Sequence, residues 1–237
     1  MKYIVADIHG CYEEYRELLR KINFSANDRL YAVGDVVDRG PEPIKVLQDL
    51  MGRANATLIM GNHDFIFFTM MKKFAVEIRE DNYDCHLSLE DLLDYNLWMQ
   101  DGGNVTAEQF RKLSKEEREE ILAYLAEASL YEVLEHGDKE YILVHAGLSG
   151  FEVDKPLEEY ELYELFEERA DYSRRYYPDE NTYLVTGHTP TFLIKGWEKP
   201  EAYMENGHIA LDCGCVGGGK LAAYCIETGE VTYVDGR

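Results

Sequence analysis

The chain has 237 residues, with 24 Lys plus Arg against 46 Asp plus Glu, for a formal net charge of −22. A surface this acidic repels phosphate backbones and argues against a nucleic-acid binder, although metal ions can invert the potential locally and admit a phosphate. The length suits a single α/β domain over residues 1–237, and no linker or charge block divides it.

Tyr3, Ile4, Val5 and Ala6 form a short apolar run that predicts a buried strand. After "DIHG", Tyr15, Leu18, Leu19 and Ile22 share one helical face, with Glu13, Glu14, Glu17 and Lys21 outside it. Residues 30–33 are a second strand, running into "GDVVDRG". Pro41 and Pro43 suit the start of a helix carrying Ile44, Leu47, Leu50 and Met51. Residues 57–60 are a third strand, ending in "GNHD". This β-α-β-α-β order predicts parallel strands joined by right-handed crossovers. Residues 65–78 read as a core helix rich in Phe and Met, and the following stretch is less regular. Ser114 and Glu117 make a capping box for a helix carrying Ile121, Leu122 and Leu125. Residues 131–134 and 141–144 flank "EHGDKE" as a hairpin. Residues 183–185 precede "TGHTP", and residues 208–211 precede "DCGC". Residues 221–226 and 231–234 form a last hairpin around "ETGE". The five cysteines are sparse and odd in number, which reads as free thiols rather than a disulfide framework. The early Asp7 breaks any signal-peptide core, and no apolar run approaches a membrane span. The expectation is a soluble, cytoplasmic protein that engages neither nucleic acid nor membrane; its oligomeric state is open.

The polar residues follow the strands. Asp7 and His9 come after the first, Asp35, Asp38 and Arg39 after the second, and Asn62, His63 and Asp64 after the third. His145 and His188 each follow a later strand, so four of the seven histidines sit at strand ends, where open α/β sheets assemble their sites. Singly, each has an ordinary reading as a turn, cap, surface or core residue. Together they offer carboxylates, imidazoles, an amide oxygen and a guanidinium. Mixed O and N donors suit Mn, Fe or Zn better than Mg or Ca alone. One Asp can bridge two cations, and such a pair polarises a phosphate and yields a hydroxide for in-line attack. An imidazole oriented by a carboxylate can protonate the leaving oxygen, and an arginine can grip two phosphoryl oxygens. Ligating histidines must be neutral, which predicts weaker metal binding in mild acid.

"DIHG", "GDVVDRG", "GNHD", "VHAG" and "TGHTP", in this order, resemble the PPP family of Ser/Thr protein phosphatases within the calcineurin-like metallophosphoesterases. "WMQDGGNVT" and "LDCGCVGGGKLAA" look like bacterial members, and the match runs to about Ala223. The resemblance implies two stacked mixed β-sheets flanked by helices, with two divalent ions (Mn, Fe or Zn) at the strand ends. It implies that Asp7 and His9 hold one metal, that Asp35 bridges both, and that Asn62, His145 and His188 hold the other. It makes His63 the general acid oriented by Asp38, and Arg39 a phosphoryl ligand together with Asn62. A second phosphate-binding arginine is expected at Arg169, with Arg174 and Arg175 as rivals. The implied activity is hydrolysis of phosphoserine or phosphothreonine in proteins. Three departures keep a second substrate open: Ala6 replaces the usual glycine before Asp7, Met60 stands where protein phosphatases carry arginine, and Asp64 stands where they carry glutamate. "GNHD" also occurs in symmetrical diadenosine tetraphosphate hydrolases, so small phosphoesters are the alternative substrates. A phosphate-binding module without turnover is the remaining alternative. Substrate recognition is expected to fall to residues 81–113 and 151–181, acidic and Tyr-rich segments that otherwise read as a solvated face.

Overall fold

The computed structural model describes residues 1–74 and 88–236. In the first sheet, β1 (Lys2–Ala6), β2 (Arg29–Val33) and β3 (Ala56–Ile59) run parallel in the order β3-β2-β1. On the other side of β1, the hairpin of β8 (Lys220–Cys225) and β9 (Val231–Asp235) adds two antiparallel strands. The second sheet begins with the hairpin of β4 (Tyr131–His136) and β5 (Lys139–Val144). Two further strands, β6 (Thr182–Thr186) and β7 (His208–Ala210), lie parallel to β5.

Period-two alternation assigns each strand face to a layer. Ile4, Ala6, Tyr31 and Val33 meet Tyr141, Leu143, Val185 and Ile209 between the sheets. Val5, Leu30 and Ala32 face the helices instead. There α1 (Tyr12–Lys21) contributes Tyr15, Leu18 and Leu19, and α2 (Pro43–Met51), with proline in its first turn, contributes Ile44, Leu47 and Leu50. The same core takes Phe67 and Met70 from α3 (Asn62–Phe74), Trp98 at the end of α4 (Leu89–Trp98), Phe110 from α5 (Asn104–Arg111), and Ile121 and Leu125 from α6 (Lys115–Ala126). A short α7 (Leu162–Phe166) packs Leu165 against the outer face of the second sheet.

The strands fall within two residues of the expected runs, and both capping residues of α6 make their reciprocal bonds. Three expectations need revision. Helix α3 starts at Asn62, not at residue 65, because the Asp64 carboxylate accepts the Gly61 amide at 3.1 Å and holds the first turn. Residues 75–78 of that expected helix, residues 81–87 and Cys85 lie outside the described residues. The Tyr-rich segment 151–181 is no solvated face: Tyr160, Tyr172 and Tyr176 are buried and cover the second sheet with Tyr203. Cys11, Cys213, Cys215 and Cys225 are buried thiols outside any disulfide among the described residues. Among the described residues, no helix is long and apolar enough to cross a membrane.

Candidate metal centre

The strand ends converge because β1, β2 and β3 are parallel in one sheet and β5 and β6 in the other. The loops that follow are tied to one another by backbone bonds: Asp7 N donates to Gly34 O, His9 N to Asp35 O, Gly10 N to Val36 O, and Gly187 N to His145 O. This lacing holds side chains in conformations that L-residues avoid. Asp7, His9, Asp35, Asp38, Arg39 and His188 have φ of 49°, 41°, 50°, 67°, 64° and 61°. Six of the nine described non-glycine residues with positive φ are therefore residues singled out above. Such strain costs of order 1–2 kcal/mol per residue and persists only where surroundings over-determine it. Close approach also demands glycine. A Cβ on Gly61 would lie 2.3 Å from Asp35 N and 2.4 Å from its Oδ1, and one on Gly187 would lie 2.0 Å from Asp7 Oδ2.

Three imidazoles are held alike. His9 Nδ1 donates to Val37 O at 2.8 Å, His145 Nδ1 donates to Val33 O at 3.1 Å, and the His188 ring bonds the backbone of Glu167. Each turns its second nitrogen inward as a lone pair, the way second-shell carbonyls orient metal-binding histidines. His145 Nε2 and His188 Nδ1 each lie 3.1 Å from Asn62 Oδ1, and His145 Nε2 is 3.3 Å from Asp35 Oδ1. Acceptors thus face acceptors, an arrangement that a cation satisfies. Two groups of mutually close donor atoms result, His9–Asp35–His63 and Asp35–His145–His188, with Asp35 common to both. Asp7 is buried beside them but turns its carboxylate to the His188 amide at 2.9 and 3.1 Å, so His63 completes the first group. The donor set fits two borderline divalent cations.

His63 is held differently. Its Nδ1 donates to Asp38 Oδ2 at 2.7 Å, and the fully buried Asp38 also accepts from Trp98 Nε1 at 2.7 Å and from Thr106 Oγ1 at 2.5 Å. The Arg39 guanidinium spans the edge of the first donor group, donating to His9 Nε2 at 2.9 Å and to His63 Nε2 at 2.8 Å. Asp101 holds that guanidinium at 3.1 and 3.2 Å. Arg169 is exposed near His188, whereas Arg175 is engaged by the carbonyls of Asp179, Thr182 and Glu180, and Arg174 lies over Tyr176.

Burial governs the electrostatics. It lowers His9 to about 3 and His188 to about 4, so both stay neutral. Burial, then Asp212 and Asp35, raise Asp7 well above the ordinary carboxylate range. Burial opposes ionisation of Asp35, but His145 beside it, with His63 and His9, holds its carboxyl low. Burial pushes Asp64 up to about 7 and Asp212 up to about 6. Asp64 spends its oxygens on the amides of Val36, Val37 and Gly61, locking the second loop to the third. Sequence reasoning did not assign Trp98, Asp101, Thr106 or Asp212. Their signal lay in "WMQDGGNVT" and "LDCGC", which carried a likeness but no role.

The family model for calcineurin-like phosphoesterases matches residues 3–211. The chain is 28% identical to the asymmetrical bis(5'-nucleosyl)-tetraphosphatase PrpE of Oceanobacillus iheyensis, over 99% of this chain and 92% of that one. It is 35% identical to the symmetrical bis(5'-nucleosyl)-tetraphosphatase of Proteus mirabilis, over 41% of this chain and 36% of that one. Among solved structures, a candidate diadenosine tetraphosphatase superposes with a TM-score of 0.68 at 22% identity, covering 100% of this chain and 93% of that one.

Proposed function

This chain belongs to the calcineurin-like phosphoesterase family, hydrolases of phosphoester bonds, and we propose that within it the protein hydrolyses dinucleoside polyphosphates. The observation that carries this reading is likeness along the whole chain to a protein named a bis(5'-nucleosyl)-tetraphosphatase. Two departures from the protein-phosphatase motif agree with it. Met60 is buried at the end of β3 and puts no cation at the arginine position, and Asp64 is committed to backbone amides. Dephosphorylation of phosphoproteins, the first expectation from the motifs, has no relative among those above to support it.

His9 and Asp35 would hold one divalent cation, joined by Asp7 once its carboxylate turns from the His188 amide, and Asp35, Asn62, His145 and His188 would hold the other, Asp35 serving both. Bound there, Mn, Fe or Zn would polarise the phosphoryl group and acidify a water. Arg39 binds the phosphoryl oxygens from the edge it already spans, and Arg169 binds them from the His188 side. His63, protonated at Nε2 once Arg39 turns from it to the phosphoryl oxygens, gives that proton to the departing oxygen, and Asp38 fixes its ring through Nδ1. The test is a paired assay of manganese-reloaded protein on diadenosine tetraphosphate and on phosphoserine peptide, with a chelator control. The expected result is much faster cleavage of the dinucleotide; faster peptide dephosphorylation would overturn the reading.

A further inference from the structure

We propose that the pocket beside His188 is a polyphosphate subsite, in which Lys195 distinguishes a polyphosphate from a simple phosphomonoester. The inference rests on the dinucleoside polyphosphate reading above. The pocket, of about 550 Å³, is lined by residues 169–173, by Thr189 and residues 193–195, and by Tyr203, Glu205 and Asn206. It opens where the candidate metal centre ends: Thr189 follows His188 in the chain, and the Arg169 charge reaches the His188 ring.

Its chemistry is that of an anion site. Arg169 and Lys195 both line it, and among the described residues neither has an ion-pair or hydrogen-bond partner. In a chain with 46 acidic and 24 basic residues, two uncommitted cations on one pocket stand against the general charge. Of the lining acids, Asp171 is engaged by Ser173 and Arg174, which leaves Glu205. Thr189 and Tyr172 close the inner wall of the pocket, where the Tyr172 hydroxyl bonds Thr186 Oγ1 at 3.0 Å and also engages the Thr189 side chain. Two cations on one pocket are the groups that bind successive phosphates of a chain. A phosphomonoester, whose single phosphate stays at the strand ends, reaches Arg169 but not Lys195.

Steady-state kinetics of the manganese-loaded full chain on diadenosine tetraphosphate and on p-nitrophenyl phosphate test the inference. Lys195→Glu is expected to raise KM for the dinucleotide roughly tenfold at low salt, with kcat and the rate on p-nitrophenyl phosphate within about twofold. Lys195→Arg should restore the wild-type KM, and Glu205→Gln should lower it about twofold by removing a repulsive charge. A dinucleotide KM unmoved by Lys195→Glu, or a loss shared equally by both substrates, overturns the subsite while leaving the parent reading intact. A wild-type protein that cleaves p-nitrophenyl phosphate but not the dinucleotide overturns both.

Discussion

His63 gives its Nδ1 proton to a carboxylate, whereas the other three site imidazoles are tied to the backbone. That difference has a kinetic consequence. General acid catalysis is worth ~10²–10⁴ in rate and matters most when the leaving oxygen is a poor leaving group. His63→Asn should therefore lose about that factor on a phosphoserine-type ester, and less on diadenosine tetraphosphate, whose leaving group is itself a phosphate. Equal losses on both would remove the proton-donor role. Trp98→Phe takes one bond from a buried carboxylate, which costs about 1.5–3 kcal/mol for a charged acceptor. It should lower kcat roughly tenfold with bound metal unchanged, which elemental analysis checks. The pH dependence of metal binding comes from His145, where burial opposes charging but Asp35 beside it raises the pKa above the ordinary imidazole value, and from buried acids, rather than from the other two ligating histidines. His9 and His188 are already neutral down to about 3 and about 4. Asp212 at about 6 and Asp7, which burial also raises well above the ordinary carboxylate range, take up protons as pH falls. Protonation removes the negative charge that draws the cation, so manganese affinity should drop from pH 7.5 to pH 5, and less steeply in Asp212→Asn. Calorimetric titrations giving a flat profile would contradict this. The residues legible in the sequence were those that directly follow an apolar run, as Asp7 follows Ala6. Trp98 and Thr106 were not, because their partner Asp38 lies 60 and 68 positions away and only packing brings them together.

At the scale of elements, the site is a property of loops that glycine lets approach. Gly61→Ala forces a methyl into Asp35, so the carboxylate or the third loop must move. The variant should retain far-UV circular dichroism but bind less than one metal per chain; full metal loading with wild-type activity would show that the contact is relieved elsewhere. Parallel β1, β2 and β3 were readable because their apolar runs alternate with amphipathic helices. Helix α4 was not, since Leu89, Leu93 and Leu97 are 75%, 56% and 65% exposed and the usual link between apolar spacing and core fails there. The backbone reversal after it, with Gly102 at φ 99°, is what carries Asp101 to Arg39. No local periodicity encodes that reversal. The buried tyrosines of residues 151–181 misled in the opposite sense, because acidic neighbours in the sequence point to solvent while the rings turn to the second sheet.

For the molecule as a whole, the site concentrates buried like charge inside a chain already at −22. Asp7, Asp35 and Asp212 lie within one another's fields, and cations that bind the folded chain alone stabilise it by mass action. At a thousandfold excess over Kd this amounts to ~4 kcal/mol per site, or roughly 10 °C in Tm for a chain of this size. Chelation empties both sites and should lower Tm by about twice that amount, and thermal unfolding with and without chelator reads it directly. Unchanged melting would mean that the acids are neutralised without metal. The most direct test of the account is a titration of stripped protein with manganese, following diadenosine tetraphosphate hydrolysis against metal bound per chain. Activity should rise from zero and level off at two ions, and Asp35→Asn should neither fill nor turn over. Full activity in the stripped protein, or a plateau reached with Asp35→Asn, would contradict a two-metal phosphoesterase centre built on Asp35.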